Sequence, residues 1–238
     1  MLERVLKNFI NFVSLIKHKE MSLKKYQNKS ESAENEEIRL NPNKRPFVSK
    51  AMQAEVKKAC EVMEKGGVIL YPTDTVWGIG CDATNAEAVK KVYELKHRSD
   101  SKAMLVLVDS DVKVNFYVKD VPEVAWQLID YATKPLTVIY EGARNLAENL
   151  IAEDGSVGIR ITKEVFSNEL CYRFKKAIVS TSANISGEPS PATFKDIGDE
   201  VKNAVDYIVN CRQNEHGCPK PSSIVKVGAG GLVKIIRK

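Results

Sequence analysis

The 238-residue chain lacks three features that would narrow its class at once: long hydrophobic runs, a secretory signal and paired CxxC cysteines. No stretch reaches the roughly 18 apolar residues of a membrane-spanning helix, so we expect no membrane span. The five cysteines are an odd number, which together with the missing signal predicts a reduced, cytoplasmic protein. Cys211, His216 and Cys218 form one loose cluster without a fourth ligand at zinc spacing, so no protein-held metal is predicted.

The chain has no excess charge outside its first fifty residues. Residues 1–50 hold 11 basic and 6 acidic side chains, whereas residues 51–238 hold 25 of each. A body of zero net charge is unlike the basic surfaces of general nucleic-acid-binding proteins, although it leaves room for a local basic pocket. The composition, 43% hydrophobic and 28% charged, is that of a globular protein and excludes disorder throughout.

The first fifty residues are predicted to be a flexible basic leader and linker. Apolar residues at helical spacing over 1–18 fit either an amphipathic helix that binds a membrane surface or a partner, or a dispensable leader. Residues 19–50 are rich in Lys, Glu, Asn and Ser, which indicates a linker with little order. The folded domain is predicted to span 51–238, and Met52 is an alternative start.

Helix and strand patterns alternate through 51–238, which predicts an α/β domain. One helix is expected over about 51–65, and a second from a capping box at Thr84–Glu87 to about 96. Three more helices are expected: one that begins at Asp120–Glu123, one that ends at about 174 and one that begins at Thr193–Asp196. Strands are expected at 68–71, 103–108, 136–140, 157–162, 177–180, 207–209, 223–227 and 232–236. The alternation fails near the end, so a mixed sheet is expected. Neither a GxGxxG after a strand nor a Walker A sequence is present.

Two hydroxyl-rich segments stand where predicted strands end, which is where α/β folds place their sites. Residues 71–82 carry Thr73, Asp74 and Thr75, which suit a small polar ligand such as an amino acid or simply close a turn. Residues 178–190 carry a dense run of small hydroxyl and amide side chains, which suit phosphate oxygens or form a turn. No histidine is adjacent to these serines, so a Ser-His-Asp triad has no support.

Two further segments carry cations. Lys96, Arg98 and Lys102 lie within seven residues at a predicted helix end, where they either form an anion site or complement the helix C-terminus. Arg160 interrupts an otherwise apolar strand, so its charge must be paired. The pairing carboxylate belongs either to the protein or to a substrate.

These segments resemble, in order, the motifs of the YrdC-type (TsaC-like) family of threonylcarbamoyl-AMP synthases. The matching stretches are 66–83 (GGVILYPTDTVWGIGCDA), 94–108 (ELKHRSDSKAMLVLV), 134–140 (KPLTVIY), 156–161 (SVGIRI), 179–191 (VSTSANISGEPSP) and 221–225 (PSSIV). The KxR and SxN pairs, here Lys96 with Arg98 and Ser182 with Asn184, are characteristic of the family. The chain ends just after Arg237, so it resembles the short members without an extra C-terminal domain.

The resemblance implies a fold and a reaction. The implied fold is α/β, a twisted mixed sheet flanked by helices with a large concave basic pocket. The implied enzyme is a nucleotidyltransferase that condenses L-threonine, bicarbonate and ATP, with Mg²⁺, to threonylcarbamoyl-AMP and pyrophosphate. A threonylcarbamoyltransferase complex then modifies adenosine beside the anticodon of tRNA. Weak binding to tRNA, a partly double-stranded RNA, is also expected, and no membrane contact is implied.

Matching the motifs residue by residue gives the expected site, with Lys96 and Arg98 as catalytic cations. The ATP-binding residues expected are Lys96, Arg98, Lys102, Ser156, Ser182, Asn184, Ser190 and Arg237. The threonine-binding residues expected are Thr73, Thr75, Arg160, Ser180 and Ser223, with Arg160 on the carboxylate. The chain departs from the usual family pattern at Leu107, Lys134 and Thr162.

Two other functions compete with this one. The first is an RNA-binding or ribosome-maturation factor that uses the same concave surface. The neutral body and the lack of RNP-like aromatic motifs weigh against it. The second is a related carbamoyl-adenylate enzyme of hydrogenase maturation, for which the chain has neither the length nor the CxxC pairs.

Overall fold

Helices and strands alternate from Lys50 to Arg237 in the computed structural model, which describes residues 47–98, 104–215 and 220–238. The helices are α1 (Lys50–Glu64), α2 (Ala86–Leu95), α3 (Asp111–Tyr117), α4 (Glu123–Tyr131), α5 (Val165–Phe174) and α6 (Asp199–Ala204). The strands are β1 (Ile69–Tyr71), β2 (Gly78–Gly80), β3 (Leu105–Val108), β4 (Leu136–Tyr140), β5 (Val157–Ile161), β6 (Ile178–Ser182), β7 (Tyr207–Ile208), β8 (Ser223–Val227) and β9 (Val233–Arg237). The predictions on residues 1–46, Lys102, His216 and Cys218 lie outside the described residues.

The described strands form one sheet in the order β7-β1-β2-β6-β3-β5-β4-β8-β9. Three neighbouring pairs are parallel, namely β1/β7, β3/β5 and β4/β8. The other five pairs are antiparallel. This arrangement confirms the expected twisted mixed sheet, because neither pairing mode accounts for the whole sheet.

Helices cover both faces of the sheet, and β3 shows how the faces divide. Side chains alternate along a strand, so Val106 joins the apolar cluster that α2 packs against. Leu107 joins the opposite cluster, to which α1 and α5 contribute Val56 and Phe166. Leu107 pairs with Arg160 on β5, which places Arg160 on the α1/α5 face. Ser180 on β6 pairs with Leu105, two residues before Leu107, so it lies on this same face.

The start of α2 differs by one residue from the sequence prediction. The expected capping residue Thr84 lies outside the helix, and its hydroxyl donates to Asp82 Oδ1 over 2.6 Å. Asn85 is the N-cap instead, and its Oδ1 accepts from the main-chain N–H of Glu87 and of Ala88. The predicted capping box at this helix is therefore wrong, because a neighbouring carboxylate takes the threonine hydroxyl. None of the described helices is long and apolar enough to cross a membrane.

Strand β2 lies in the segment 71–82, where the sequence predicts a loop. Two of the three residues of β2 are glycine, a residue that is depleted in strands and weakens the pattern. The structure requires glycine at Gly80, because a Cβ there would come within 2.6 Å of Tyr71 Cε1 and 2.8 Å of the Val179 carbonyl oxygen. The close approach of β2 to the Tyr71 ring thus explains the composition that hid the strand.

Candidate active site

A cavity of about 310 Å³ is lined by residues of β2, β3, β4, β5, β6, β8 and β9 and of the adjoining loops. Its volume lies at the lower end of the range for small-molecule sites, about 300–1,000 Å³. Eight residues expected from the sequence line the wall: Arg98, Ser156, Ser182, Ser190, Arg237, Thr75, Arg160 and Ser180. The structure therefore brings most of the expected ATP set and threonine set to one place.

Two glycines keep the cavity open. Gly158 on β5 lies between Leu105 on β3 and Ile139 on β4, and a Cβ there would lie 3.5 Å and 3.8 Å from their side chains. Gly78 on β2 lies beside Ser180, and a Cβ at Gly78 would lie 3.4 Å from the Ser180 hydroxyl. Both positions line the cavity, so larger side chains there would take up its space.

Arg160 is the most buried cation on the cavity wall, with 3% of its surface exposed. Its Nη2 lies 3.0 Å from Asp74 Oδ1 and donates to Thr75 Oγ1 over 3.3 Å. Its Nε is buried and has no hydrogen-bond partner in the protein. Burial raises the pKa of the Asp74 carboxyl, and the charge of Arg160 opposes that rise. Asp74 thus answers the question that the sequence left open: the protein supplies a carboxylate to this arginine.

Thr73 stabilises the loop that carries Asp74 and does not line the cavity. Its hydroxyl donates to the Val76 carbonyl over 2.7 Å and accepts from the Thr75 N–H over 3.0 Å. Its own carbonyl accepts from Arg212 Nη1 over 3.3 Å. Thr73 therefore shapes the loop, and its predicted contact with threonine stays a prediction.

Lys96 also lies off the cavity wall, although it contacts the segment that forms part of it. It is 2% exposed, and its Nζ donates to the carbonyls of Ser182 and Asn184, each over 2.6 Å. Its own carbonyl accepts from the Ser186 N–H over 3.0 Å. Burial lowers the pKa of Lys96 to about 8, and the charge of Arg98 adds to that effect. The lysine joins the end of α2 to the loop after β6.

Three arginines give the cavity a positive wall. Arg98, Arg160 and Arg237 all line it, and none of the lining residues in the described part of the chain is Asp or Glu. Burial lowers the pKa of Arg98 and of Arg237, and the charge of Arg160 lowers that of Arg237 further. A partly buried cation that lies near a second cation favours the binding of an anion.

Ser222 lies on the cavity wall, whereas the sequence predicts the next residue, Ser223, as the threonine-binding one. The hydroxyls of Ser222 and Thr137 lie 2.8 Å apart and are buried. Arg237 Nε donates to the Ser222 carbonyl over 2.9 Å. Ser223 begins β8 and pairs with Leu136. The signal in the sequence was the dipeptide Ser-Ser, which cannot show which hydroxyl faces the cavity. Thr137 is the one small hydroxyl residue of β4, which is otherwise apolar or aromatic.

Two other expected ATP residues are held by local hydrogen bonds. Asn184 Nδ2 donates to the carbonyls of Ile185 and Glu188, so its side chain shapes the loop after β6 and does not line the cavity. Ser156 lines the cavity and donates to Asp154 Oδ1. Hydrogen bonds from Lys226 and Ser156 lower the pKa of Asp154 to about 2, so this carboxylate stays ionised.

Among the described groups, the Ser156 hydroxyl on the cavity wall has Asp154 beside it, but a carboxyl whose pKa is lowered to about 2 is a weak base. Cys81 and Cys171 are fully buried, and burial raises the pKa of both thiols. His97 is mostly exposed and lies 3.4 Å from Glu200. The described residues include no group of three side chains that could hold a metal ion. The cavity is therefore suited to binding and orienting anions.

The fold and the cavity together define an α/β protein with an arginine-lined cavity on the face of a mixed sheet. The family model described as "Telomere recombination", Sua5_yciO_yrdC, matches residues 61–238. The chain belongs to this Sua5/YciO/YrdC family.

Curated relatives carry one name. The chain is 36% identical over 137 residues to the threonylcarbamoyl-AMP synthase of Pseudomonas paraeruginosa, which covers 57% of this chain and 73% of the relative. It is 29% identical over 175 residues to the threonylcarbamoyl-AMP synthase of Pseudoalteromonas translucida, which covers 72% of this chain and 92% of the relative.

Solved structures share the fold. E. coli YciO matches with a TM-score of 0.70 and 20% identity, over 82% of this chain and 92% of that chain. P. abyssi Sua5 complexed with L-threonine matches with a TM-score of 0.68 and 21% identity, over 79% of this chain. This chain spans only 55% of the length of that Sua5 chain.

Proposed function

We propose that this protein is an L-threonylcarbamoyladenylate synthase, a nucleotidyltransferase that converts L-threonine, bicarbonate and ATP to threonylcarbamoyl-AMP and pyrophosphate. The observation that carries the proposal is the cavity wall, where Arg98, Arg160 and Arg237 meet a set of hydroxyls without an acidic side chain among the described lining residues. Both substrates with fixed negative charge, a nucleoside triphosphate and an amino-acid carboxylate, suit such a wall. The curated relatives named above carry the name of this enzyme.

The phosphates of ATP are assigned to the end of the cavity near Arg98. Ser182 at the end of β6 and Ser190 in the loop after it line the cavity, and Lys96 fixes this segment through its two carbonyl contacts. Arg237 at the end of β9 and Ser156 just before β5 also line the cavity and complete the proposed nucleotide-binding set. Lys102 and Asn184 remain members of the proposed set by the family motif alone.

The α-carboxylate of L-threonine is assigned to Arg160. Thr75 and Ser180 line the cavity near this arginine, and Thr75 already accepts a hydrogen bond from it. Ser222 takes the role that the sequence analysis gave to Ser223, because its hydroxyl lies on the wall. A buried guanidinium suits a carboxylate well, since its planar donors match the two carboxylate oxygens.

The reaction needs positioning and charge stabilisation more than acid–base chemistry. The threonine amine first forms a bond to the carbon of bicarbonate while a carbon–oxygen bond breaks and water leaves, which gives the carbamate. A carbamate oxygen then forms a bond to the α-phosphorus of ATP, while the bond to the bridging oxygen breaks and pyrophosphate leaves. Arg98 and Arg237 are placed to stabilise the charge on the phosphoryl oxygens.

Magnesium is part of the proposal as an ion carried by the nucleotide. The described cavity wall offers no carboxylate, so the protein provides no ligand of the kind that Mg²⁺ prefers. The phosphates of ATP are the fitting ligands, and the bound ion neutralises part of their charge. No residue of this chain is assigned to hold it.

Pyrophosphate release tests the proposal directly. The purified protein is incubated with ATP, bicarbonate and Mg²⁺, with and without L-threonine, and pyrophosphate is measured. We expect release that depends on both threonine and bicarbonate. Release that is indifferent to threonine, or no release at all, would contradict the assignment. A parallel reaction with L-serine tests whether the amino-acid half of the site is selective.

The cellular role follows from the same proposal. The product would pass to a threonylcarbamoyltransferase complex, which modifies adenosine next to the anticodon of tRNA in the cytoplasm. Weak tRNA binding by this chain is part of the proposal. The competing reading as an RNA-binding or ribosome-maturation factor is not favoured, because the curated relatives named above are synthases. Salt-sensitive tRNA binding without ATP turnover would support that reading instead.

A further inference from the structure

Arg160 carries a charge that is buried in the sheet and lines the cavity. It lies on β5, between β3 and β4, and is 3% exposed. A guanidinium in such a place is costly unless a countercharge compensates it. Asp74 supplies that charge, since its Oδ1 lies 3.0 Å from Arg160 Nη2. Only the arginine of this pair lines the cavity, so the carboxylate contacts it from outside the cavity wall.

The loop around Asp74 is held in place without the ion pair. The Thr73 hydroxyl bonds to Val76 and Thr75 within the loop, and Arg212 donates to the Thr73 carbonyl from the segment after β7. Arg212 is itself fixed by Glu164 at the start of α5, 2.9 Å away. Asp74 is therefore presented to Arg160 by a preformed loop.

The charged groups around Asp74 come from three different elements. Arg160 on β5 and Arg212 after β7 favour its ionised form, whereas Glu164 at the start of α5 and burial oppose it. Arg160 donates one hydrogen bond to Thr75, and its Nε has no hydrogen-bond partner in the protein. The guanidinium therefore keeps donors for a second carboxylate after Asp74 has fixed its position.

We propose that Asp74 is a positioning residue, which fixes the Arg160 guanidinium at the cavity wall so that it can receive the α-carboxylate of the amino-acid substrate. The inference rests on the proposed function, because that function assigns the carboxylate to Arg160. Asp74 itself touches no substrate and acts only through the arginine. A guanidinium that is oriented in advance loses less freedom when the carboxylate binds, so the contribution appears in amino-acid affinity.

The first test compares steady-state kinetics of Asp74→Asn with the unmodified protein. We expect the KM for L-threonine to rise at least tenfold, while the KM for ATP and the kcat at saturating threonine change less than threefold. Asp74→Glu keeps the charge at a shifted position, so it should restore part of the threonine KM. An unchanged threonine KM, or an equal rise in both KM values, would overturn the proposal.

Asp82→Asn provides a matched control. Asp82 is also a buried aspartate paired with a cation, Lys176 at 2.6 Å, and it does not line the cavity. We expect Asp82→Asn to lower the melting temperature and to leave the threonine KM unchanged. If it raises the threonine KM as much as Asp74→Asn does, the effect of Asp74 is general destabilisation and the proposal is overturned.

A double-mutant cycle shows whether Asp74 acts through Arg160. Arg160→Met and the double variant Asp74→Asn/Arg160→Met both lack the buried cation, so the double variant contains no uncompensated charge and is the safer one to fold. We expect the two to have the same threonine KM, because Asp74 has nothing left to position. A further rise in the double variant would assign Asp74 a contact of its own and overturn the proposal.

A readout without substrates separates this proposal from the proposed function. The Nη–Hη signals of Arg160 in a nitrogen–proton NMR spectrum, assigned by their loss in Arg160→Met, report whether the Asp74 contact at Nη2 holds the guanidinium. We expect slow hydrogen exchange in the unmodified protein and at least tenfold faster exchange in Asp74→Asn. This change in a protein without threonine-dependent turnover would keep the positioning role and refute the function. Threonine-dependent turnover, together with hydrogen exchange that is the same in Asp74→Asn as in the unmodified protein, would keep the function and refute the positioning role.

Discussion

Lys96 Nζ donates to the main-chain carbonyl of Ser182 over 2.6 Å and so joins the end of α2 to the loop after β6. The same ammonium donates to the carbonyl of Asn184. The sequence predicts Lys96, Ser182 and Asn184 as separate phosphate ligands, whereas in the structure Lys96 supports the main chain of the other two. A lysine in this position affects nucleotide binding in two ways, through its charge and through the shape of the loop.

Replacement of Lys96 by methionine is the first prediction. The change removes the charge and leaves two carbonyls without their donor, at a cost of about 1–3 kcal/mol each where they are buried. We expect kcat/KM for ATP to fall at least 100-fold, with the protein still folded at 25 °C. Pyrophosphate release and a thermal melt measure the two effects. Lys91→Met is the control, because Lys91 lies on the same helix and its Nζ donates to the Gly66 carbonyl. Equal losses in both variants would contradict the prediction.

The second prediction concerns pH and follows from the same lysine. Burial lowers the pKa of Lys96 to about 8, from 10.5 when unperturbed. The folded protein therefore loses this proton as the pH rises through about 8, and the anion-binding part of the site loses one positive charge. We expect the KM for ATP to rise at least threefold between pH 7 and pH 9.5. Lys96→Met should lack this pH dependence, and a profile unchanged by the substitution would contradict the assignment.

Stability has the opposite pH dependence for this group, which gives an independent check. Between about pH 8 and 10.5 the unfolded chain binds the Lys96 proton and the folded chain does not. The free energy of unfolding therefore rises with pH across this window as far as Lys96 is concerned. Urea denaturation at pH 7.5 and pH 9.5 measures the change. The increase should be larger in the unmodified protein than in Lys96→Met, and a smaller one would refute the assigned direction.

The third prediction separates two neighbouring serines. The Ser222 hydroxyl lies on the cavity wall and 2.8 Å from that of Thr137, whereas Ser223 does not line the cavity. We expect Ser222→Ala to raise the KM for L-threonine at least fivefold and Ser223→Ala to change it less than twofold. Each variant is the control for the other, since both lose one hydroxyl. A larger rise of the threonine KM in Ser223→Ala than in Ser222→Ala would contradict this prediction and favour Ser223 as the threonine-binding residue.

The sequence was most informative where hydrophobic period and chemistry agreed. The patterns around Leu136–Tyr140 and Ser223–Val227 predicted β4 and β8 with the bounds that the structure has. Arg160 was identified as a buried charge that needs a carboxylate, because it interrupts an apolar strand. These predictions succeeded because the local sequence alone determines which residues can be buried.

The sequence was least informative where a partner from a distant segment decides the structure. Asp74 is 86 residues from Arg160 along the chain, and no local pattern joins them. The strand β2 was hidden because its glycines fit against the Tyr71 ring, which is a tertiary contact. The departure at Leu107 has a similar explanation, since its side chain is fully buried in the α1/α5 cluster. Propensity and periodicity carry no signal for such contacts.

The last prediction tests whether the glycine on β5 keeps the cavity open for the nucleotide. A Cβ at Gly158 would make ordinary contacts, 3.4 Å from Thr137 Cγ2 and 3.5 Å from Leu105 Cβ. Gly158→Ala should therefore fold at least as well as the unmodified protein, because alanine loses less chain entropy by about 0.5–1 kcal/mol. Gly158→Val adds two methyl groups to the cavity. We expect it to weaken ATP binding at least 30-fold, measured by calorimetry, while Gly158→Ala stays within threefold. Unchanged binding by the folded valine variant would show that the nucleotide does not occupy this part of the wall.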